Sequence, residues 1–213
     1  MHKHGISTIV FDLGNVMIRL AGGWDGACAR VGIPYIPAAF GEERRPMRQA
    51  LEVRFESGLI TPETYYTELC TLLDGHYSLD ETRRIYQAII AEEFPGITEI
   101  VTSLKQACYF TACLSNTCMP HWADLTNPKL YPGIGLLHVH HASCRFGVMK
   151  PDAEIYRLFE QAVGKSADEI LFFDDRLANV EGARTCGWHA EQIDETKPAV
   201  EQIRAELRRY AIL

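Results

Sequence analysis

The chain has 213 residues, with 21 Lys and Arg against 28 Asp and Glu, a net charge of −7 and 47% apolar residues. That length and apolar share suffice for a core needing neither disulfides nor a structural metal, and they exclude a collagen-like or largely disordered chain. The excess of acid argues against nucleic acid or an anionic membrane surface as partner, leaving a small diffusible ligand as the expectation.

The chain opens Met-His-Lys-His-Gly without a signal-peptide core, and no run approaches the roughly 18 to 20 apolar residues of a membrane span, so a cytoplasmic protein is expected. Residues 7–11 (STIVF) form a short apolar run that ends at Asp12 and Gly14, which predicts a strand buried on both faces followed by a tight loop. Residues 21–94 show helical patterns and no convincing strand. Thr61-Pro62 is an N-cap with Pro at the first helical position, and Ser78-Leu-Asp-Glu81 reads as a capping box. Pro95-Gly96 is the expected return hinge of this segment, with Gly96→Ala expected to alter turnover more than stability.

Beyond it, residues 97–107 carry apolar positions 97, 100, 101 and 104 on one helical face, and 109–114 (YFTACL) read as the second strand. Weaker strand character spans 136–140. Residues 152–163 open on Pro151 as a helix, 170–173 (ILFF) form another buried strand, and 180–186 form a helix ending at Gly187. Strands alternating with helices predict an α/β fold, a Rossmann-like doubly wound parallel sheet. Its core is expected over 1–20 and 95–213, with a helical cap, residues 21–94, inserted after the first strand. The seven cysteines include no Cys-x-x-Cys pair, so reduced and mostly buried thiols are expected. His138 and His140 would share one face of a strand, with too few further ligands for a metal site.

Ligands of open parallel sheets bind beyond the carboxyl ends of the strands. Four polar clusters stand there: Asp12-Leu13-Gly14-Asn15, Ser115-Asn116-Thr117, Lys150-Pro151-Asp152 and Asp174-Asp175-Arg176 through Asn179. Each alone is as readily a cap or a turn. Together they supply a nucleophilic carboxylate, a hydroxyl beside a free amide, an ammonium and two more carboxylates. Three converging acids need a hard cation, and Mg²⁺ suits oxygen ligands shared with water and phosphate. The expected metal ligands are Asp12, Asp174, Asp175 and the Gly14 carbonyl.

In order, FDLGNV, LSNT, MKPD and FFDDRLANVEGA resemble the four motifs of the haloacid dehalogenase-like hydrolase superfamily. Within it the chain is most similar to small phosphatases whose first motif reads FDLGNV, α-glucose-1-phosphate phosphatase among them, and FESGLITPETYYTELC looks like their cap helices. The resemblance implies Asp12 as the nucleophile of an aspartyl-phosphate, and Ser115 with the Asn116 amide gripping a phosphoryl oxygen. It also implies Lys150 on the charge network, Asp175 on magnesium, and the amides of Leu13 and Gly14 cradling the phosphoryl group. The expected substrate is a small phosphorylated metabolite, sugar phosphates first; oligomeric state is not readable.

One departure stands out. Most phosphatases of this superfamily carry a second Asp two residues after the nucleophile, which protonates the leaving oxygen, and this chain has Gly14 there. Slow turnover or dependence on good leaving groups follows, unless a water, a substrate hydroxyl or a group from the cap gives the proton. Dehalogenases of the superfamily also lack that Asp and work without metal, but they do not need the Asp174-Asp175 pair. A phosphomutase resembling β-phosphoglucomutase shares the phospho-Asp chemistry but needs acid-base help for two sugar hydroxyls, which Gly14 does not give; a phosphate-binding protein without turnover is the last alternative. Asn179 reads as a hydrogen-bonder behind the acids. Trp24, Arg54, Tyr65, Tyr66 and Arg176 are available near a substrate without an assigned role.

Overall fold

The computed structural model describes residues 5–213; residues 1–4, and with them the reading of the chain's start, lie outside the described residues. In chain order the elements are β1 (Thr8–Phe11), β2 (Ile18–Leu20), α1 (Trp24–Val31), α2 (Arg45–Glu56), α3 (Pro62–Leu72), α4 (Leu79–Gln87), β3 (Ile90–Glu93), α5 (Ile97–Gln106) and β4 (Phe110–Ser115). They continue with α6 (Met119–Leu125), α7 (Pro132–Gly135), β5 (Val139–Ala142), α8 (Ser143–Phe146), α9 (Ala153–Val163), β6 (Ile170–Asp174), α10 (Leu177–Thr185), β7 (His189–Gln192) and α11 (Ala199–Arg209).

Five strands form one sheet in the order β5-β4-β1-β6-β7, every neighbour parallel. The expected α/β architecture is therefore the observed one. Side chains alternate across the sheet, as a period of two demands. Ile9, Phe11, Cys113, Leu171 and Phe173 pack with α5 and α11 on one face, while Val10, Ala112, Leu114, Ile170 and Phe172 pack with α9 and α10 on the other. Burial on both faces explains why these strands read as continuous apolar runs. Phe11 of central β1 stands level with Cys113 of β4 and Phe173 of β6, so the residues that follow emerge together at one edge.

Helices α1 to α4 enclose a separate apolar cluster that includes Leu51, Phe55, Tyr65, Leu69, Ile85 and Tyr86. Their ends follow the sequence signals: the Thr61 side chain accepts the Thr64 amide, and Ser78 and Glu81 cap each other's backbone reciprocally. The expectation of no strand within 21–94 fails at β3, which pairs antiparallel with β2 through Ile18↔Glu93 and Leu20↔Ile90. The Ala88 and Ile89 positions look like the continuing face of a helix, but α4 stops at Gln87 and the chain turns to meet a partner some 70 residues earlier. Long-range pairing overrides local periodicity there. The strand expected over 136–140 begins instead at Val139, because Leu137 is buried in the core just after α7. His138 and His140 are taken up locally, His138 Nδ1 by Thr111 and His140 Nε2 by the Ile134 carbonyl. All seven cysteines are free thiols; Cys28, Cys113 and Cys118 are buried and Cys108 is exposed.

Gly96 requires a different reading from the hinge first expected. It caps α5 at φ 100°, and a Cβ there would come within 2.9 Å of Val200 Cγ1 on α11. Left-handed backbone costs a residue with a side chain about 1–2 kcal/mol. Gly96→Ala should therefore lower stability in urea titrations by about that amount and leave kcat unchanged; a changed kcat at unchanged stability would restore the hinge.

Candidate active site

Asp12 follows β1, its amide donating to the Phe173 carbonyl at 2.8 Å. The chain then turns tightly: the amides of Met17 and Ile18 both donate to the Leu13 carbonyl at 2.9 Å, and the Asn15 amide donates to Ile18 at 2.8 Å. Asn15 sits at φ 56°, a left-handed conformation that Asn tolerates. Its side-chain amide reaches the β6 side of the site, donating to Asp175 Oδ2 at 3.0 Å and Glu195 Oε2 at 3.2 Å. Asn15 carries no role in the motif pattern; an Asn in the tight turn three residues after a functional acid is the signal that could have found it.

Lys150 lies at the centre. Its ammonium donates to Asp12 Oδ1 at 2.9 Å, to Asp174 Oδ2 at 2.7 Å and to the Leu114 carbonyl at 2.7 Å, which uses all three of its protons. The lysine side chain is 1% exposed. Its backbone is fixed by Asn116, whose side-chain amide donates to the Lys150 carbonyl and accepts from the Lys150 amide, both at 2.9 Å. Ser115, the last residue of β4, is buried at the same edge. Asp174 accepts from Lys150, from the Asn179 side-chain amide at both oxygens (3.0 and 3.1 Å) and from the Arg176 amide at 2.9 Å. Asn179 thus holds an acid in place, as its position suggested.

Electrostatics follow from crowding. Asp12, Asp174 and Asp175 each offer a carboxylate oxygen within 4.8 Å of the others. Burial pushes the Asp12 carboxyl up to about 6, with Lys150 pulling it down and the charges of Asp174 and Asp175 adding to the rise. Burial also raises Asp175 despite its hydrogen bond from Asn15. Burial works against the Lys150 ammonium, but the flanking Asp12 and Asp174 outweigh it and hold the group above the ordinary lysine value. Three acids against one ammonium leave an excess of negative charge on hard oxygen donors, a set that fits a divalent cation of the magnesium type.

These groups line a cavity of about 1090 Å³ bounded by the sheet edge on one side and by α2 and α4 residues on the other. Asp12, Leu13, Gly14, Ser115, Asn116, Lys150 and Asp175 all line it, and Asp174 lies directly behind at zero exposure. Of the further candidates, Trp24 and Arg176 line the cavity. Tyr65 and Tyr66 are buried in the helical cluster, and Arg54 pairs with Glu68 at 2.8 Å. Glu52, Glu56, Tyr86 and His121 line it too; Glu56 lies in the FESGLITPETYYTELC segment that resembles cap helices but was given no role, and the other three fall in no motif. Glu52 and Glu56 stand one turn apart on α2, a spacing that puts two carboxylates on one helical face.

A family model of haloacid dehalogenase-like hydrolase matches residues 6–187. The chain belongs to that family. It is 39% identical over 126 residues to Phosphatase MT3486 of Mycobacterium tuberculosis (strain CDC 1551 / Oshkosh), covering 57% of this chain and 56% of that one. It is 26% identical over 231 residues to mouse Acyl-CoA dehydrogenase family member 10, covering 97% of this chain and 20% of that protein. The chain thus spans from a fifth to just over half of the length of these curated relatives. Its fold is shared with a HAD family enzyme of Bacteroides thetaiotaomicron solved in complex with magnesium and inorganic phosphate, at a TM-score of 0.76, 19% identity and coverage of 93% and 100%. A dehalogenase structure shares it at a TM-score of 0.60, 17% identity and coverage of 89% and 85%. Among the described residues, no helix is long and apolar enough to cross a membrane.

Proposed function

We propose that this protein is a Mg²⁺-dependent phosphatase of small phosphate monoesters, sugar phosphates first, acting through an aspartyl-phosphate on Asp12. The observation that carries this reading is the Asp12 carboxylate held at 2.9 Å by a buried lysine inside an acidic cluster that opens on a metabolite-sized cavity. Lys150 fixes the attacking carboxylate and offsets phosphoryl charge. Ser115 and Asn116 grip a phosphoryl oxygen, and the Leu13 and Gly14 amides cradle it. Asp12, Asp175 and the Gly14 carbonyl would hold the metal. Asp174, with its oxygens already engaged by Lys150, Asn179 and Arg176, adds its charge and keeps those groups in place. When bound, the cation neutralises the crowded acids and the transferring phosphoryl group. Helices α1 to α4 serve as a cap over the site and limit substrates to small ones.

A panel of phosphate esters, α-glucose 1-phosphate included, assayed with and without Mg²⁺ tests the reading. Phosphate release that chelator abolishes is expected. A second reading, a metal-independent dehalogenase, is favoured only by Gly14; halide release from a 2-haloacid in EDTA, with no phosphate released from any ester, would replace the first. Binding of phosphate at one equivalent without release from any ester would mark a non-catalytic binder.

Metal binding should also be visible without turnover. The buried Asp12 carboxyl titrates near 6 in the folded chain against an ordinary value of 3.8. Its folded state therefore takes up a proton as pH falls from about 7 towards 4, and protons compete there with the cation. The Mg²⁺-induced rise in Tm should be large at pH 7.5 and small at pH 5. An equal rise at both would remove Asp12 from the metal site.

A further inference from the structure

An alkyl or sugar phosphate leaves a strongly basic oxygen, which must receive a proton as its bond to phosphorus breaks. The groups around the cavity differ in their freedom to give one. All three Lys150 protons are committed. Gly14 has no side chain, and a Cβ there would lie 3.2 Å from Leu20 Cδ1, so that wall is apolar. His121 is held neutral by burial, which lowers it to about 4, and its Nε2 is engaged by the Tyr86 carbonyl at 3.0 Å. Asp194 is tied to Thr196 and Lys197 and kept at about 2 by those contacts, and Glu195 faces Asn15. Among the carboxyl groups lining the cavity, Glu52 and Glu56, both from α2, are left without such a tie or a place on the metal.

Glu56 is the better placed of the two. It ends α2, and its backbone carbonyl accepts the Ser143 hydroxyl at 2.5 Å. That hydroxyl oxygen also accepts the Thr117 amide at 3.0 Å, two residues past Ser115. The end of α2 is thereby fastened to the loop that carries the phosphate-gripping pair, which anchors the Glu56 backbone beside that loop while its side chain lines the cavity. The charges bearing on it are Glu52 from its own helix, Asp12 from the end of β1, Lys150, and Arg176 from the start of α10. Burial above all, then the negative charge of Glu52, pushes the Glu56 carboxyl up to about 8, against Arg176 and Lys150. It keeps its proton at neutral pH. Burial raises Glu52 as well, but Arg48 and Arg176 both oppose the rise there, and Glu52 lacks the anchor that ties the Glu56 carbonyl to Ser143.

We propose that Glu56, supplied by the helical segment rather than by the sheet edge, is the general acid and base of the reaction. The proposal rests on the phosphatase reading given above. In the first step an Asp12 oxygen bonds to phosphorus, the ester P–O bond breaks, and the Glu56 carboxyl proton passes to the departing oxygen to give the alcohol. In the second, water bonds to phosphorus while giving a proton to the Glu56 carboxylate, and the P–O bond to Asp12 breaks. Ester and water become alcohol and phosphate, with both side chains restored.

The test compares wild type and Glu56→Gln, each with Mg²⁺, on 4-nitrophenyl phosphate, whose leaving group needs no proton, and on an alkyl phosphate. Alkyl turnover should fall on the order of 10²- to 10⁴-fold. The first-turnover burst of 4-nitrophenol should survive at close to its wild-type rate, followed by slow steady turnover because the attacking water has lost its base. Equal losses on both esters with no burst, or no loss on either, would overturn the assignment. In wild type alone, kcat/KM across esters of graded leaving-group pKa should change little; a steep dependence would overturn it independently of how the variant folds. Failure of the phosphatase reading shows separately, as wild type releasing phosphate from no ester at all.

Discussion

Asp12→Asn should abolish turnover, lowering kcat/KM on the order of 10⁴-fold or more, as loss of a nucleophile does in covalent catalysis. The same substitution should leave the fold intact. Asn keeps an oxygen for the Lys150 ammonium at a position now 2.9 Å from Asp12 Oδ1, and it removes a charge that the buried site tolerates poorly. The sign of the stability effect follows from the Asp12 carboxyl titrating higher folded than unfolded. Such a group binds more protons in the native state, so its ionisation costs stability once pH exceeds about 6, and the cost disappears as pH falls towards 4. In EDTA at pH 7.5, Asp12→Asn should therefore melt no lower than wild type, and any gap between the two should narrow steadily below pH 6 and close as pH falls to 3.8. The chemical check is acid quench after mixing with a radiolabelled phosphate ester: wild type keeps label in the protein and Asp12→Asn does not. Label retained at the wild-type level would move the nucleophile elsewhere.

The parts legible in the sequence are those whose placement depends on a strand ending nearby. Asp12, Ser115 and Asp174 each close or follow a strand of the parallel sheet, so apolar runs of four to six residues located them and the topology made them converge. Lys150 was legible for another reason. It stands before Pro151 and Asp152, the N-cap of α9, and its backbone is gripped by Asn116 of another cluster. Glu56 stood inside the FESGLITPETYYTELC segment without a role, because its place on the cavity and the contact of its carbonyl with a serine 87 residues later are tertiary. The β2–β3 ribbon escaped for the same reason, as a pairing of short segments across a long insertion. At Gly14 the sequence revealed a missing carboxylate but not that Leu20 backs the position with apolar surface. Local chemistry could be read along the chain, whereas what faces it from the helical segment depended on tertiary contacts that no residue pattern encodes.

Lys150→Met should be the most damaging single substitution for the fold. The lysine side chain is 1% exposed and sits between Asp12 and Asp174, whose side chains are 12% and 0% exposed. Removing one member of a buried charge cluster costs about 3–5 kcal/mol, chiefly because the partners stay buried without compensation. Here two carboxylates would face each other at the ends of adjacent strands β1 and β6, where Phe11 and Phe173 stack at 5.6 Å just behind them. The pH dependence separates this cause from a simple packing defect. Without the ammonium the crowded pair is relieved when Asp12, which titrates near 6 even beside Lys150, takes up a proton, so the loss relative to wild type should be greatest near pH 8 and should shrink as pH falls below 6. The lysine's own titration does not enter that window, since its value lies above the ordinary 10.5. Urea titrations in EDTA at pH 8 and pH 5.5 measure the difference, and a deficit that stays constant across them would assign the loss to packing alone. Saturating Mg²⁺ at pH 8 should restore part of the stability through the remaining acids but none of the turnover, because a cation at the metal site does not replace the ammonium that orients Asp12 for attack.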